Sequence, residues 1–323
     1  MTRTKTTLLT LLAATGLASA AHADCGEVTI TEMNWASSAV VTHVSKFLME
    51  QGYGCKVVTV PSSTTPALIS VAETGTPEIV TELWINGTPA YDDLSAEGKI
   101  LTIADVLSDG GIEGWWVPQY LVDEHPELAT IEGVLANPDL VGGRFHQCPD
   151  GWGCKNTNLA HINAWNVEDA GIEIFQHGSG ETMATSIAAA FESNEPWLGY
   201  YWAPTSILGK YPMVKVDFGV EHKPDVFKCY ADPECLTDEK TTYPVGPVKT
   251  VVTTDFAETY PELHDLMSKV SFTNAQMGEI LAWAEENQAS SEEAAVYFLT
   301  TQSDVWSQWV NDAAREKLAA LIQ

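Results

Sequence analysis

The chain has 323 residues, of which 44 are Asp or Glu and 16 are Lys or Arg, so its formal net charge is −28 at pH 7. A negative field of this size repels phosphate backbones and acidic lipids, which argues against nucleic acid and anionic membranes as partners. The length exceeds what a single hydrophobic core usually reaches, and we therefore predict two lobes.

The first residues have the pattern of a secretory signal peptide at 1–23. Arg3 and Lys5 precede an apolar run over residues 7–21, and a small-residue cleavage pattern ends at Ala23. We expect cleavage there and release into the periplasm. An acidic residue directly before Cys25 disfavours a lipid anchor on that thiol. A membrane-spanning anchor is the weaker alternative, because a spanning helix needs about 20 apolar residues.

Strand and helix patterns alternate after this segment. We predict strand, helix, strand, helix and strand over 28–33, 36–51, 55–60, 64–74 and 78–83. Such alternation is typical of a parallel sheet with helices on both faces. Ligands of open sheets collect outside the carboxyl ends of the strands. Trp35 follows the first strand and Trp84 the third, so we expect both rings at that edge.

A second alternating region follows residues 110–118, where we place the first crossing between lobes. We predict strands at 172–175, 197–202, 213–218 and 246–254, a helix at 181–192, and three helical stretches between 257 and 323. The predicted lobe I covers 24–114 and 216–323, and lobe II covers 115–215. A polar excursion at 221–243 is assigned to lobe I.

Six cysteines, an even number in an exported chain, predict three disulfides. The simplest pairing is local: Cys148–Cys154 and Cys229–Cys235 each close a short loop. This leaves Cys25, beside the first predicted strand, to pair with Cys55 at the start of the second. The alternative is a zinc site made from His146, Cys148, Cys154 and His161, although the spacing of these residues matches no zinc motif.

The excursion is acidic and offers oxygen ligands that a hard cation such as calcium accepts. These candidates are Asp225, Asp232, Glu234, Asp238 and Glu239. Their spacing matches no EF-hand, so a solvated loop is the preferred interpretation. We predict no cofactor, with a structural divalent cation as the open alternative.

Eleven tryptophans are an unusually large number, and their positions are informative. Four of them lie at predicted strand ends or in glycine- and proline-rich loops: Trp35, Trp84, Trp152 and Trp202. Indole faces grouped around one space bind a quaternary ammonium, since each attracts the cation by about 0.5–2 kcal/mol. The alternative is that each ring is an ordinary core aromatic.

Four short segments carry a specific resemblance. They are Asn34-Trp35, Glu82-Leu83-Trp84, Pro149-Asp150-Gly151-Trp152-Gly153-Cys154 and Gly199-Tyr200-Tyr201-Trp202-Ala203-Pro204. Together they resemble the glycine betaine, proline betaine and choline binding proteins of ABC importers, over nearly the whole mature chain. The resemblance implies an α/β type II periplasmic-binding-protein fold, with two lobes of mainly parallel sheet, flanking helices and two hinge crossings. It also implies that Trp84, Trp152 and Trp202 face an ammonium head, with Trp35 as a fourth ring.

The sequence departs from the betaine-binding pattern after Trp84, where Ile85-Asn86-Gly87-Thr88 contains no His, Arg or Lys to hold a carboxylate. Glu113 lies where the family places pocket residues, and it could pair with a cation or, when protonated, donate to a ligand oxygen. This pattern is most similar to the trimethylamine N-oxide binding members. Choline and glycine betaine are the alternatives. A solvated turn residue is the alternative for Glu113.

Two further residues are candidates for the ligand site. Trp115 belongs to the same segment as Glu113. Ser179 leads into a predicted helix whose N-terminus could face the cleft, although helix capping is the preferred role.

The sequence contains none of the motifs GxSxG, HExxH, SxxK or GxxxxGK[ST]. We therefore predict a binding protein without catalysis, monomeric, that closes over a methylated amine and delivers it to a membrane permease. An exported enzyme and a carbohydrate or peptide binder are the alternatives.

Overall fold

The computed structural model describes residues 25–322, so the predicted signal peptide lies outside the described residues. Its strands are β1 (Glu27–Met33), β2 (Lys56–Ser62), β3 (Ile79–Trp84), β4 (Ile100–Pro118), β5 (Arg144–Gln147), β6 (Glu173–Gln176), β7 (Gly199–Ala203), β8 (Met213–Lys215) and β9 (Val245–Thr253). They form one sheet with the order β2-β1-β3-β9-β4-β7-β5-β6, and β8 pairs with β4.

The sheet is parallel at both ends and antiparallel in the middle. β1 pairs in parallel with β2 and β3, and β5 pairs in parallel with β6 and β7. β4 has 19 residues, which is long enough to pair with β9 over its first part and with β7 and β8 near its end. This one strand therefore connects the two parallel regions, and no part of it was predicted as a strand.

Helices cover both faces of the sheet. They are α1 (Ala36–Phe47), α2 (Thr64–Thr74), α3 (Pro89–Ala96), α4 (Gln119–Glu124), α5 (Ile131–Ala136), α6 (Cys154–Ala164), α7 (Gly180–Ser193), α8 (Ser206–Lys210), α9 (Pro224–Ala231), α10 (Thr254–Thr259), α11 (Pro261–Met267), α12 (Asn274–Asn287), α13 (Ser291–Thr301), α14 (Ser303–Trp306) and α15 (Asp312–Leu321). The predicted α/β class is confirmed, and so is the opening β1-α1-β2-α2-β3 with small shifts at its boundaries.

The C-terminal region contains six helices, α10 to α15, where three stretches were predicted. The side chains of Thr273, Ser290 and Asn311 each accept a backbone N–H and begin a new helix. Such caps interrupt an apolar pattern that reads as continuous in the sequence.

Two clusters of buried apolar side chains form the core. One includes Val40 of α1 and Phe298 of α13, so the C-terminal helices pack back against the opening unit. The other includes Phe145 of β5 and Ile187 of α7. The side chain of Trp84 is partly buried and packs against both clusters. The end of β3 therefore lies where the two cores meet, while the predicted lobe limits remain a prediction.

The six cysteines form the three predicted disulfides. The alternative zinc site is wrong, because zinc requires thiolates and Cys148 is bonded to Cys154.

The excursion at 221–243 contains an unpredicted helix, α9, and packs against α6. The ring of His161 on α6 lies 4.7 Å from Tyr230 and 4.5 Å from Tyr243, measured between ring centroids. Within residues 25–322, the helices are too short or too polar to cross a bilayer.

Candidate ligand-binding site

One cavity, with an empty volume of about 380 Å³, lies where the two cores meet. Its walls are formed by Trp35, Thr64, Trp84, Gly87, Glu113, Trp152, Gly153, Cys154, Tyr200 and Trp202. The rings arrive from four places in the chain: the turn after β1, the end of β3, the loop before α6 and the end of β7. The structure thus brings all four predicted tryptophans to a single space.

Trp152 is the central ring of this group. Its ring centroid lies 5.4 Å from that of Trp35 and 5.0 Å from that of Trp202, with interplanar angles of 73° and 84°. Edge-to-face pairs of this kind are worth about 0.5–1.5 kcal/mol beyond the area they bury. The indole Nε1 of Trp152 donates to Oδ1 of Asn34 at 2.8 Å, which orients the plane of the ring.

The loop that carries Trp152 is held at both ends. The Cys148–Cys154 disulfide closes it, and the backbone N–H of Thr65 donates to the carbonyl of Gly151 at 3.1 Å. Gly153 packs directly on Gly87, where a Cβ on either residue would lie 3.0 Å or less from the other's backbone. The loop therefore meets the end of β3 and the start of α2 backbone to backbone.

Trp35 and Trp84 are oriented by one buried carboxylate that sequence reasoning missed as a site residue. Oε1 of Glu82 accepts from Nε1 of Trp35 at 2.6 Å and from Nε1 of Trp84 at 3.3 Å. It also accepts from the hydroxyl of Ser37 at 2.6 Å. A charged residue within a mostly apolar strand, Ile79–Trp84, was the signal that could have found it.

The backbone of Glu82 is strained. Its φ is +50°, in the left-handed region, and the pairing of β3 with β9 shifts register between Val80 and Leu83. Such a conformation costs a residue other than glycine about 1–2 kcal/mol. Burial raises the pKa of Glu82 to about 7, against the lowering effect of hydrogen bonds from Ser37, Trp35 and Trp84. We call the four indole rings that line the cavity the cage. Two of its rings are therefore oriented by a group that is itself unfavourable to bury.

Trp84 needs a glycine beneath it. A Cβ built on Gly111 would lie 2.1 Å from Cζ3 of Trp84, which is far inside contact distance. Gly111 lies in β4 opposite Gly246 of β9. The benzo ring of the indole therefore packs against strand backbone, in a space that any larger residue at 111 would fill.

Glu113 and Tyr200 form the polar end of the cavity. In the pairing of β4 with β7, Glu113 lies opposite Trp202, and side chains of directly opposed residues share a face of the sheet. The hydroxyl of Tyr200 donates to Oε1 of Glu113 at 2.6 Å. Glu113 is only 7% exposed, so the alternative of a solvated turn residue is wrong.

Burial raises the pKa of the Glu113 carboxyl, while the hydrogen bond from Tyr200 and the charge of Lys215 lower it. Lys215 itself is half-buried, and burial lowers its pKa. The polar end thus holds a carboxyl group that can carry a proton closer to neutral pH than an exposed glutamate does.

Trp115 does not line the cavity. It lies two residues beyond Glu113, which moves it about 6–7 Å along the strand. There its ring is fully buried 4.4 Å from Phe145, and its Nε1 donates to Oδ1 of Asn158 at 2.9 Å. The residue belongs to the core, so its assignment to the ligand site was wrong.

Ser179 caps α7 and does not line the cavity. Its side chain accepts the backbone N–H of Thr182, whose side chain in turn accepts the N–H of Ser179. The capping role, which was preferred on sequence grounds, accounts for this residue.

The acidic residues of the excursion make ordinary local contacts. Oδ1 of Asp232 accepts the backbone N–H of Glu234 at 2.9 Å, and Glu239 pairs with Lys223 at 3.3 Å. Asp225 lies in the first turn of α9. Across residues 25–322, the His, Cys, Asp and Glu side chains, including that of Asp238, form no group of three that could hold a metal ion.

The family model described as the substrate binding domain of ABC-type glycine betaine transport systems matches residues 26–301. The chain belongs to this family. The resemblance found in the tryptophan segments is thereby confirmed, together with the assignment to the substrate-binding proteins of ABC importers.

Individual relatives agree with the family assignment. The chain is 24% identical over 296 residues to the trimethylamine N-oxide-binding protein of Pelagibacter ubique (strain HTCC1062), covering 87% of this chain and 89% of that protein. An ABC-transporter choline binding protein in complex with choline has the same fold, with a TM-score of 0.76, 16% identity, and coverage of 93% and 99% of the two chains. Lactococcal OpuAC, closed on glycine betaine, has a TM-score of 0.71 at 18% identity, covering 88% and 100%.

Proposed function

We propose that this substrate-binding protein takes up a small methylated-ammonium compound in the tryptophan cavity, with trimethylamine N-oxide as the first choice. The observation that carries the proposal is the convergence of four indole rings on one space whose polar end is the Glu113–Tyr200 pair. The methyl groups would contact the indole faces, and the oxygen would meet the carboxyl group. The similarity to the Pelagibacter protein supports this choice.

Choline is the second candidate, because its hydroxyl would donate to an ionised Glu113 and its trimethylammonium head is the same size. Glycine betaine fits less well. The cavity wall contains no Lys, Arg or His among the described residues, so a carboxylate would face Glu113 without a cationic partner.

We further propose that the protein is released into the periplasm, is monomeric, catalyses no reaction and delivers its ligand to a membrane permease. The family assignment supports the last two. Turnover of a methylated amine by the purified protein would favour the enzyme alternative instead.

Calorimetry tests which ligand the cavity binds. Trimethylamine N-oxide, choline and glycine betaine are each titrated into wild type and into Glu113→Gln. The amide retains a donor for the N-oxide oxygen but loses the acceptor charge for the choline hydroxyl. We expect Glu113→Gln to weaken choline by roughly tenfold and trimethylamine N-oxide by a smaller factor. Binding of none of the three compounds by wild type would overturn the proposed function.

The pH dependence of the binding affinity is a second, independent test of which ligand the cavity binds. The N-oxide oxygen needs a protonated Glu113, so its affinity should fall as pH rises through the raised pKa of this carboxyl group. Choline should show the opposite trend, because it needs the ionised form.

A further inference from the structure

Glu82 plays no direct part in the proposed binding, because it lies behind the cavity wall rather than in it. One oxygen, Oε1, accepts from Trp35, Ser37 and Trp84. The other, Oε2, is buried without a hydrogen-bond partner among the described residues, and the residue has no exposed surface. An unpaired carboxylate oxygen in the interior is destabilising unless something compensates it.

A positive charge in the cavity would supply that compensation. Each indole that donates its N–H to a carboxylate becomes richer in electrons on its face, and the face is what attracts a cation. The three donors to Glu82 are neutral, so none of them cancels its charge. In a water-poor interior that charge also acts on the ligand directly, through the two rings.

We propose that Glu82 is a positioning and specificity-determining residue of the cage: its carboxylate fixes the planes of Trp35 and Trp84 and makes the cavity select an occupant that carries an ammonium charge over one of the same shape without that charge. This inference rests on the proposed function. It also explains why the chain retains an acid at a strained, buried position, since strain is retained where function uses it.

Ionisation of Glu82 and cation binding should favour each other. Burial raises the pKa of Glu82 to about 7, and a cation in the cavity would lower it by favouring the charged form. Other charged groups near β3 are already paired: Glu32 lies 3.4 Å from His43, and Lys249 lies 2.5 Å from Asp105. At the cavity itself, the remaining titratable groups are Glu113 and Tyr200.

The test compares wild type with Glu82→Gln, in which the amide oxygen retains the three hydrogen bonds and the charge is removed. The ligands are choline and its uncharged isostere 3,3-dimethylbutan-1-ol, measured by calorimetry at pH 8. We expect the variant to lose roughly tenfold in affinity for choline and less than about twofold for the alcohol. Ser37→Ala, which removes a bond to the same oxygen without touching charge or indole, is the matched control and should change both affinities little.

A second measurement applies to whichever methylated ammonium compound wild type binds best. In a Glu113→Gln background, which removes the other carboxyl group of the cavity, its affinity should fall severalfold as pH is lowered from 8 to 5.5. With Glu82→Gln added, the affinity should be flat. A purely structural role for Glu82 would lower the melting temperature of Glu82→Gln at pH 8, whereas we expect it to be unchanged or higher.

Equal losses for the cation and the alcohol, or a pH profile that Glu82→Gln leaves intact, would overturn this inference while the proposed function stands. Failure of wild type to bind any methylated ammonium compound is a different result, and overturns both. If Glu82→Gln does not fold, Trp35→Phe replaces it, because the phenyl ring keeps an aromatic face and cannot donate to Glu82. That variant should show a weaker pH dependence as well as a lower affinity, because Trp84 still donates to Glu82.

Discussion

The cage has two halves, one formed by Trp35 and Trp84 and the other built around Trp152. The indole rings of the two halves are oriented by different means. Trp35 and Trp84 donate to one buried carboxylate, Glu82. Trp152 donates instead to the neutral amide of Asn34 and lies on a loop closed by a disulfide. A neutral acceptor is thus enough to orient an indole, which implies that the charge beneath the other half does more than orient.

The two halves should also respond to pH with opposite signs, and this is the largest effect we expect. β5 and α6, which flank the Trp152 loop, carry His146 and His161. Burial lowers their pKa values to about 3 and about 4, with the charges of His177 and Arg144 contributing at His146. A histidine buried in its neutral form stabilises the fold above its unfolded pKa of about 6.5, and this stabilisation is lost as pH falls.

Urea unfolding of the ligand-free protein at pH 7.5 and pH 5 measures that loss. We expect the free energy of unfolding of Glu82→Gln, which lacks the opposing carboxyl group, to fall by an amount on the order of 3 kcal/mol, and that of wild type to fall less. Glu82 works in the other direction, since its raised pKa of about 7 gives stability that is lost as pH rises from about 4.5. Equal stability of Glu82→Gln at the two pH values would contradict the prediction.

Removal of the central ring should cause the largest loss of affinity. Trp152→Ala deletes one cation–π face and the edge-to-face contacts with Trp35 and Trp202. We expect binding of the best ligand to weaken by about 2 kcal/mol, or roughly thirtyfold, in calorimetry. Trp283→Ala is the control, because this ring stacks on Tyr297 and does not line the cavity. Similar losses in both variants would show that the effect is not local.

A pair of glycine substitutions separates the two halves without removing any ring. A Cβ at Gly111 would lie 2.1 Å from Trp84, whereas one at Gly180 would lie 3.0 Å from Trp152. The first overlap displaces the indole, and the second needs a shift of a few tenths of an ångström. We expect Gly111→Ala to weaken binding by about 1–2 kcal/mol, the value of one indole face, and Gly180→Ala to have little effect. Equal effects would mean that the rings are not held as rigidly as the contacts indicate.

The smallest expected difference concerns the disulfides. Cys148–Cys154 and Cys229–Cys235 both join residues six apart, so replacing either pair with serines should destabilise the fold by a similar amount, about 2 kcal/mol. Only the first pair closes the Trp152 loop. We expect severalfold weaker binding for that variant alone, and a binding loss in the second variant would contradict the assignment of the loop.

The sequence by itself determined the features that depend on neighbours along the chain. Strand and helix periodicity predicted the opening β1-α1-β2-α2-β3 unit, and short separations predicted two of the three disulfides, with the third by elimination. The four cage tryptophans were found because strand ends and glycine-rich loops mark the edge of a sheet. These signals are local, so a single sequence contains them.

Only the tertiary structure decided what depends on contacts between distant segments. Trp35 and Glu82 are 47 residues apart, and Glu113 and Tyr200 are 87 apart, so no local pattern joins them. Trp115 was assigned to the ligand site because its neighbour Glu113 belongs there, and the strand instead carries it into the core. Strand register and the approach of remote backbone choose which side chains share a space, and this choice is made only when the chain has folded.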